Sequence, residues 1–244
     1  MKTSLFSAIM LGVALAAVVV VSAYRASFAN RNAGNEEEYL SYKKVYEQDQ
    51  VETILFGKKL DPARNGEFRI GIKCLEGIYA ELTVYQAKDG RYETIMKCPA
   101  VIGMNGPCKQ AEGDNRTPLG TWVVGNAYGL KEDPGSLIPY KQITEDMYWR
   151  GDGSDPLYNT LVYKSDAPEK DYSNDEHLIE YDVVYNYLLD MGYNSARAPY
   201  AGSALFLHCW RNPNHPTHGC VGVAEENMVK ILQTITPGTV ISIY

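Results

Sequence analysis

The residues best suited to do chemistry crowd into one stretch near the C-terminus. Within thirteen residues the chain places His208, Cys209, His215, His218 and Cys220, three of its four histidines and two of its five cysteines. Two chemistries use such a cluster. A thiol nucleophile needs a nearby base or cation, because the thiolate is the attacking form and a cysteine is mostly protonated near neutral pH. A zinc ion needs about four nitrogen or sulfur ligands in a tetrahedral array. Zinc fits less well. No Cys-x2-Cys or His-x3-His pair is present, and on a strand His208 and Cys209 point to opposite faces. No metal and no cofactor is therefore expected. The bland alternative is a satisfied core histidine beside an inert buried cysteine. Gly219, immediately before Cys220, favours instead a tight turn that presents the sulfur and backbone N–H groups.

The apolar run Ala204–Leu207 predicts a buried strand delivering His208 at its tip, followed by a Pro-containing loop and Thr217-His-Gly-Cys220-Val. This arrangement resembles the active-site motif of the L,D-transpeptidase (YkuD-like, ErfK) family. Further segments resemble one branch of that family in the same order: Glu112–Trp122 with Thr117-Pro-Leu-Gly120, Tyr148–Asp152, Asp155–Asn159, Tyr193-Asn194 and Gly202–His208. Together they cover roughly residues 78 to 244. One position departs. Many members carry Arg or Asn two residues after the nucleophile, where this chain has Gly222.

The resemblance implies a mainly β fold, an L,D-transpeptidase-type β-sandwich of mixed sheets with a few short helices. It implies peptidoglycan stem peptides as partners and acyl transfer through a thioester. Such enzymes cut after the third residue of a stem tetrapeptide, release the terminal D-alanine, and pass the acyl group to a second stem's side-chain amine. With water as acceptor the same chemistry is an L,D-carboxypeptidase. Cys220 is the expected nucleophile, its thiol lowered towards neutrality, with His208 as base and a backbone carbonyl orienting the imidazole. Backbone N–H groups from His218 to Cys220, Gly219 included, are candidates for an oxyanion hole. His218 is assigned to positioning, to a supporting charge, or to the turn itself. Arg211 and Trp210 are candidates for holding a substrate carboxylate or stacking on it. Trp149, Asp152, Tyr158 and Asn159 are expected in the wall of the site. His215 reads as a solvated loop residue, Cys209 as core, and Thr117 and Pro118 as a turn.

Sortases, which also place His before Cys, require a later Arg, and none follows Arg211. Cell-wall peptidases of the Cys-first order need a His after the nucleophile, and none follows Cys220. A non-catalytic cell-wall-binding module is a further alternative.

The elements that must position these groups follow from the periodicity. The chain has 244 residues, 45% hydrophobic and 22% charged, which suffices for a core. A net charge of −7 and no Lys/Arg cluster argue against a nucleic-acid surface. Residues 1–29 read as a signal peptide or N-terminal membrane anchor, with Lys2 followed by an apolar run from Leu5 to Val21. The remainder is expected outside the cytoplasm, secreted or membrane-attached. Residues 30–66 read as a polar, partly helical spacer, and 67–244 as the catalytic domain. Strands are predicted over Ile78–Tyr85, Tyr92–Ile102 and Thr121–Gly125, with Lys88-Asp-Gly90 as a hairpin turn. Residues 126–172 form a long irregular region suited to a lid or binding wall. Ser173-Asn-Asp-Glu176 reads as a capping box opening a short helix, followed by a strand ending at Tyr193-Asn194. Met228, Ile231, Leu232 and Ile235 predict an amphipathic helix, Pro237-Gly238 its end, and Val240–Ile243 a closing strand. With Cys220 set aside, Cys74, Cys98, Cys108 and Cys209 allow several pairings, among them Cys74 with Cys98 across neighbouring strands.

Overall fold

The computed structural model describes residues 64 and 66–244. The expected targeting segment over 1–29, and the spacer over 30–66 apart from residues 64 and 66, lie outside the described residues. Among the described residues no helix is long and apolar enough to cross a membrane.

The fold is mainly β. Its strands are β1 (Phe68–Cys74), β2 (Tyr79–Lys88), β3 (Arg91–Val101), β4 (Gly120–Val123), β5 (Ala127–Gly129), β6 (Tyr140–Gln142) and β7 (Met147–Trp149). They continue as β8 (Leu161–Tyr163), β9 (Glu176–His177), β10 (Leu188–Asp190), β11 (Phe206–Cys209), β12 (Val221–Val223) and β13 (Val240–Ile243). Ten strands form one mixed sheet in the order β4-β13-β1-β2-β3-β12-β11-β10-β5-β6, and β8-β7-β9 form a second. The β2–β3 hairpin turns at Asp89 and Gly90, with φ of 50° and 77°, the left-handed pair that a two-residue hairpin loop requires.

The core follows the alternation. Ile70, Ile72, Leu82 and Val84 are fully buried on β1 and β2, as are Phe206, Leu207, Val221 and Val223 on the central strands. Each such side chain contributes about 1.5–3 kcal/mol relative to exposure. The helix Glu225–Leu232 packs on β11 and buries Met228, Ile231 and Leu232 at helical spacing. The chain then turns through Pro237-Gly238 into β13, which pairs in parallel with β1.

Two expectations fail between residues 173 and 194. No α-helix opens at Ser173: Glu176 enters β9 opposite Trp149, and a 3-10 turn over Leu178–Glu180 is the one helical piece between there and β10. Tertiary partners take the groups that would have capped a helix. Asp175 pairs with the buried Arg150 at 2.7 Å and accepts the Gly151 N–H, while Glu176 accepts the Tyr185 hydroxyl. The following strand ends at Asp190 rather than at Asn194, because Gly192 and Asn194 take φ of 71° and 51° and break the extended run. The suggested Cys74–Cys98 pairing also fails. Cys74 sits on β1 opposite Ala80, Cys98 on β3 opposite Leu82, and β2 lies between them.

Candidate active site

Strands β11 and β12 place the two residues that matter most. They run parallel with Leu207 opposite Val221 and His208 opposite Gly222. One step back in that register, Phe206 lies opposite Cys220. By alternation His208 and Cys220 share a face of the sheet, and both line one cavity of about 780 Å³.

The turn that carries Cys220 is fixed by two buried threonines. Thr117 Oγ1 accepts the Gly103 N–H at 2.9 Å and donates to Gly219 O at 2.8 Å. Thr217 Oγ1 accepts the Gly219 N–H at 3.1 Å and lies 2.7 Å from Cys220 O as a donor. The Gly219 amide is therefore engaged inside the turn, away from the oxyanion role expected of it. Gly219 itself has φ of 136°, and a Cβ there would meet Arg116 O at 2.9 Å and Leu205 Cδ2 at 3.0 Å. Only glycine fits.

His208 is buried, and its Nδ1 lies 2.7 Å from Cys209 O. A carbonyl only accepts, so Nδ1 carries the proton and Nε2 is left as an acceptor. Burial pushes the imidazole down to about 4, against the opposing pull of the Cys209 carbonyl. Burial also pushes the Cys220 thiol up to about 12, with the Glu176 carboxylate raising it further. The resting pair is thus a neutral thiol and a neutral imidazole, and the thiol is raised where a lowering towards neutrality was expected. Its hydrogen bonds agree: Cys220 Sγ donates to Ala204 O at 3.2 Å and accepts the Phe206 N–H at 3.3 Å. Among the described residues no hydrogen bond joins the sulfur to the imidazole.

The other expected residues divide. Trp149, Asp152, Trp210, Arg211 and His218 line the cavity with His208 and Cys220. His218 is exposed, with Nδ1 3.0 Å from Asn115 Oδ1, and Arg211 lies at the rim, 3.2 Å from Asp182. Exposed His215 borders the same opening. Tyr158 and Asn159 stand behind the wall instead of in it. Tyr158 is 1% exposed, accepts the Gly202 N–H at 3.0 Å and donates to Glu112. Asn159 Oδ1 accepts Trp149 Nε1–H at 2.9 Å and the Ala204 N–H at 3.1 Å, so it ties the wall to the loop before β11. Their own hydrogen bonds consume the polar atoms that substrate contact would need.

Gly222, the departure from the family pattern, has a steric explanation. A Cβ there would lie 2.9 Å from Val101 Cγ2 and 3.2 Å from Trp210 Cβ. Those neighbours fill the space that an Arg or Asn stem would occupy.

Sequence reasoning missed Lys109, Glu112, Glu176 and Tyr185, all of which line the cavity. Lys109 is ion-paired with Asp114 at 2.9 Å, its side chain 2% exposed. Glu112 accepts the Ser203 hydroxyl at 2.7 Å as well as that of Tyr158. Burial lifts the Glu176 carboxyl to about 7. Glu112 lay inside a segment already singled out, but Glu176 resembled a helix cap and gave no other hint.

His208 on β11 and Cys220 at the entry to β12 thus open onto one cavity of a mixed β-sheet domain. The chain belongs to the YkuD family, the L,D-transpeptidase catalytic domain, whose family profile matches residues 79–243. That family comprises cell-wall transpeptidases and carboxypeptidases acting on peptidoglycan. No curated protein matches the sequence. Among solved structures, Bdellovibrio bacteriovorus Bd1075 is similar at 16% identity and a TM-score of 0.43, over 78% of this chain and 51% of that one. The L,D-transpeptidase (Yku) from Stackebrandtia nassauensis is similar at 11% identity and a TM-score of 0.34, over 77% and 58%. Mycobacterium tuberculosis L,D-transpeptidase 1 gives 12% identity and a TM-score of 0.32, over 72% and 62%. The chain thus spans between half and two thirds of the length of these relatives.

Proposed function

We propose that this chain is a peptidoglycan-modifying cysteine acyltransferase acting outside the cytoplasm, with Cys220 as nucleophile and His208 as its base. The observation that carries the proposal is the shared face and shared cavity of the two side chains, with His208 Nδ1 committed to a backbone carbonyl so that Nε2 is the available base.

In the first half-reaction a stem tetrapeptide enters the cavity and the Cys220 thiol leaves Ala204 O for His208 Nε2. The imidazole takes the proton while sulfur attacks the carbonyl carbon of the third residue. Backbone N–H groups of His218 and Cys220 face the developing oxyanion. One such donor is worth roughly a hundredfold or more in rate. The tetrahedral intermediate collapses with cleavage of the C–N bond, and the imidazolium returns its proton to the departing D-alanine nitrogen. In the second half-reaction His208 accepts a proton from the side-chain amine of a second stem, which attacks the thioester and restores the thiol. Arg211 and Trp210 are assigned to a substrate carboxylate at the rim, His218 to positioning of the turn, and Trp149 and Asp152 to the wall.

Incubating the full chain with a tetrapeptide stem dimer and reading products by mass tests this. Loss of D-alanine with a new cross-link supports transfer, and loss without one supports the L,D-carboxypeptidase reaction on the same residues. Binding without either product, unchanged in Cys220→Ala, would make the domain a cell-wall-binding module.

A further inference from the structure

The site contains a charge that the mechanism above does not use. Glu176 reaches the cavity from β9, opposite Trp149 on β7. One carboxylate oxygen accepts the Tyr185 hydroxyl. The same Tyr185 ring packs edge-on against His208, with centroids 5.7 Å apart, and against Phe206 at 5.8 Å. Phe206 in turn supplies the N–H held by Cys220 Sγ and packs edge-on against Trp149 at 4.8 Å. Glu176 is therefore joined to His208 through Tyr185, and to Cys220 through Tyr185 and then Phe206. Its other oxygen accepts no hydrogen bond among the described residues, and neither Glu176 nor Glu112 forms an ion pair there. The cation on the same wall, Lys109, is already paired with Asp114.

Buried there the carboxyl favours its neutral form, and a cation supplied from outside the protein is what would hold it charged. Resting on the proposed function, the substrate supplies one. The third residue of the stem carries a side-chain amine, and its side chain starts from the atom bonded to the attacked carbonyl. Its side chain therefore opens into the same cavity that Cys220 and Glu176 both line.

We propose that Glu176 is the specificity-determining carboxylate of the donor site: it binds the side-chain ammonium of the stem's third residue, and that binding primes Cys220. The second half follows from the electrostatics. The Glu176 charge opposes ionisation of the thiol, so an ammonium seated on it removes that opposition where sulfur must lose its proton. Recognition and activation are then coupled, and the coupling is reciprocal. An empty site keeps its sulfur neutral and shielded from adventitious electrophiles.

The test uses the full chain as wild type, Glu176→Gln and Tyr185→Phe. The donors are two stem tetrapeptides that differ only in having the third residue's side-chain amine or a methyl group in its place. Acylation of Cys220 is followed by intact mass. Wild type is expected to favour the amine peptide by about tenfold or more, the scale of one charge-assisted contact. Glu176→Gln, which keeps an acceptor for the Tyr185 hydroxyl, abolishes the preference, and Tyr185→Phe retains it. Without peptide, Glu176→Gln alkylates faster with iodoacetamide at pH 8, opposite in direction to its loss of acylation by the amine peptide. A merely structural Glu176 would move both rates the same way. Equal acylation of wild type by the two peptides, or an undiminished preference in Glu176→Gln, overturns the proposal while leaving the thioester mechanism intact. Binding of both peptides to Cys220→Ala, with and without Glu176→Gln, separates the remaining case. If no peptide acylates Cys220 yet the amine peptide binds more tightly through Glu176, recognition stands and the thioester mechanism falls. Indifferent binding overturns the recognition proposal as well.

Discussion

Thr117 offers the sharpest test of how the nucleophile's turn is held. Replacing it with valine keeps its shape but removes the one oxygen that joins Gly103, 14 residues away, to Gly219, 102 residues away. The Gly103 N–H and the Gly219 carbonyl would be stranded in a region where Thr117 itself is 0% exposed. Each orphaned buried group costs about 1–3 kcal/mol. A carbonyl tolerates loss better than an N–H, so about 2–4 kcal/mol in total is expected. Cys220 O keeps its bond from Thr217, so the turn loosens on one side only. Thr117→Ser retains the oxygen and gives up one methyl group, for about 1 kcal/mol. Urea unfolding followed by tryptophan fluorescence measures both, with an unchanged m-value as the sign that stability alone has moved. A Thr117→Val chain within about 0.5 kcal/mol of wild type, the ordinary range for neutral substitutions, would refute the assignment. So would a serine variant as damaged as the valine.

Further predictions concern titration, sterics and charge. His208 is held down to about 4 and Glu176 up to about 7, so the two pull stability in opposite directions with pH. Below about pH 6.5 the unfolded chain protonates its histidine first, so stability falls on acidification towards pH 4. Glu176 stays protonated when folded and ionised when unfolded between about pH 4.5 and 7, so its stability is lost as pH rises through that window. Removing Glu176 as Glu176→Gln should therefore steepen acid sensitivity relative to wild type, by at most about 1.4 kcal/mol per pH unit, and His208→Gln should do the reverse. Denaturant titrations at half-unit pH steps read this directly, and parallel curves for all three chains would contradict it. Gly222→Ala should cost about 1–3 kcal/mol by overpacking against Val101, and a second change, Val101→Ala, should recover part of it in the same unfolding assay. Arg150→Met would leave the Asp175 carboxylate, at 0% side-chain exposure, buried without its cation, while Asp155 keeps its ion pair with Lys170. A loss of about 3–5 kcal/mol is expected, and a thermal midpoint unchanged from wild type would rule it out.

What the sequence revealed tracks how local each determinant is. The β2–β3 hairpin, the helix over Glu225–Leu232 and the strand over Val240–Ile243 were legible because alternation, helical spacing and Gly or Pro punctuation are written in consecutive residues. The His208 and Cys220 pair was legible because both fall within one short motif. Ser173–Glu176 misled for the complementary reason: a capping box is a local pattern, and Arg150, from an earlier element, and Tyr185, beyond the pattern, claimed its acidic residues. The same limit hid the oxygen of Thr117, which passed for part of a turn. Tyr158 and Asn159 were found as residues but placed one layer too far forward, since spacing does not reveal which side of a wall a side chain supports. The neutral resting state of Cys220 was invisible for another reason. It is set by desolvation and by Glu176, and neither is a property of the motif.

The central claim is that Cys220 carries the acyl group. The most direct measurement is intact-mass and peptide-mapping spectrometry of the full chain quenched with acid seconds after mixing with stem tetrapeptide. A mass gain equal to the stem peptide minus D-alanine, located on Cys220, sensitive to hydroxylamine and missing from Cys220→Ser, is the predicted result. D-alanine released at an undiminished rate by Cys220→Ser, with no adduct on the wild-type thiol, would contradict it.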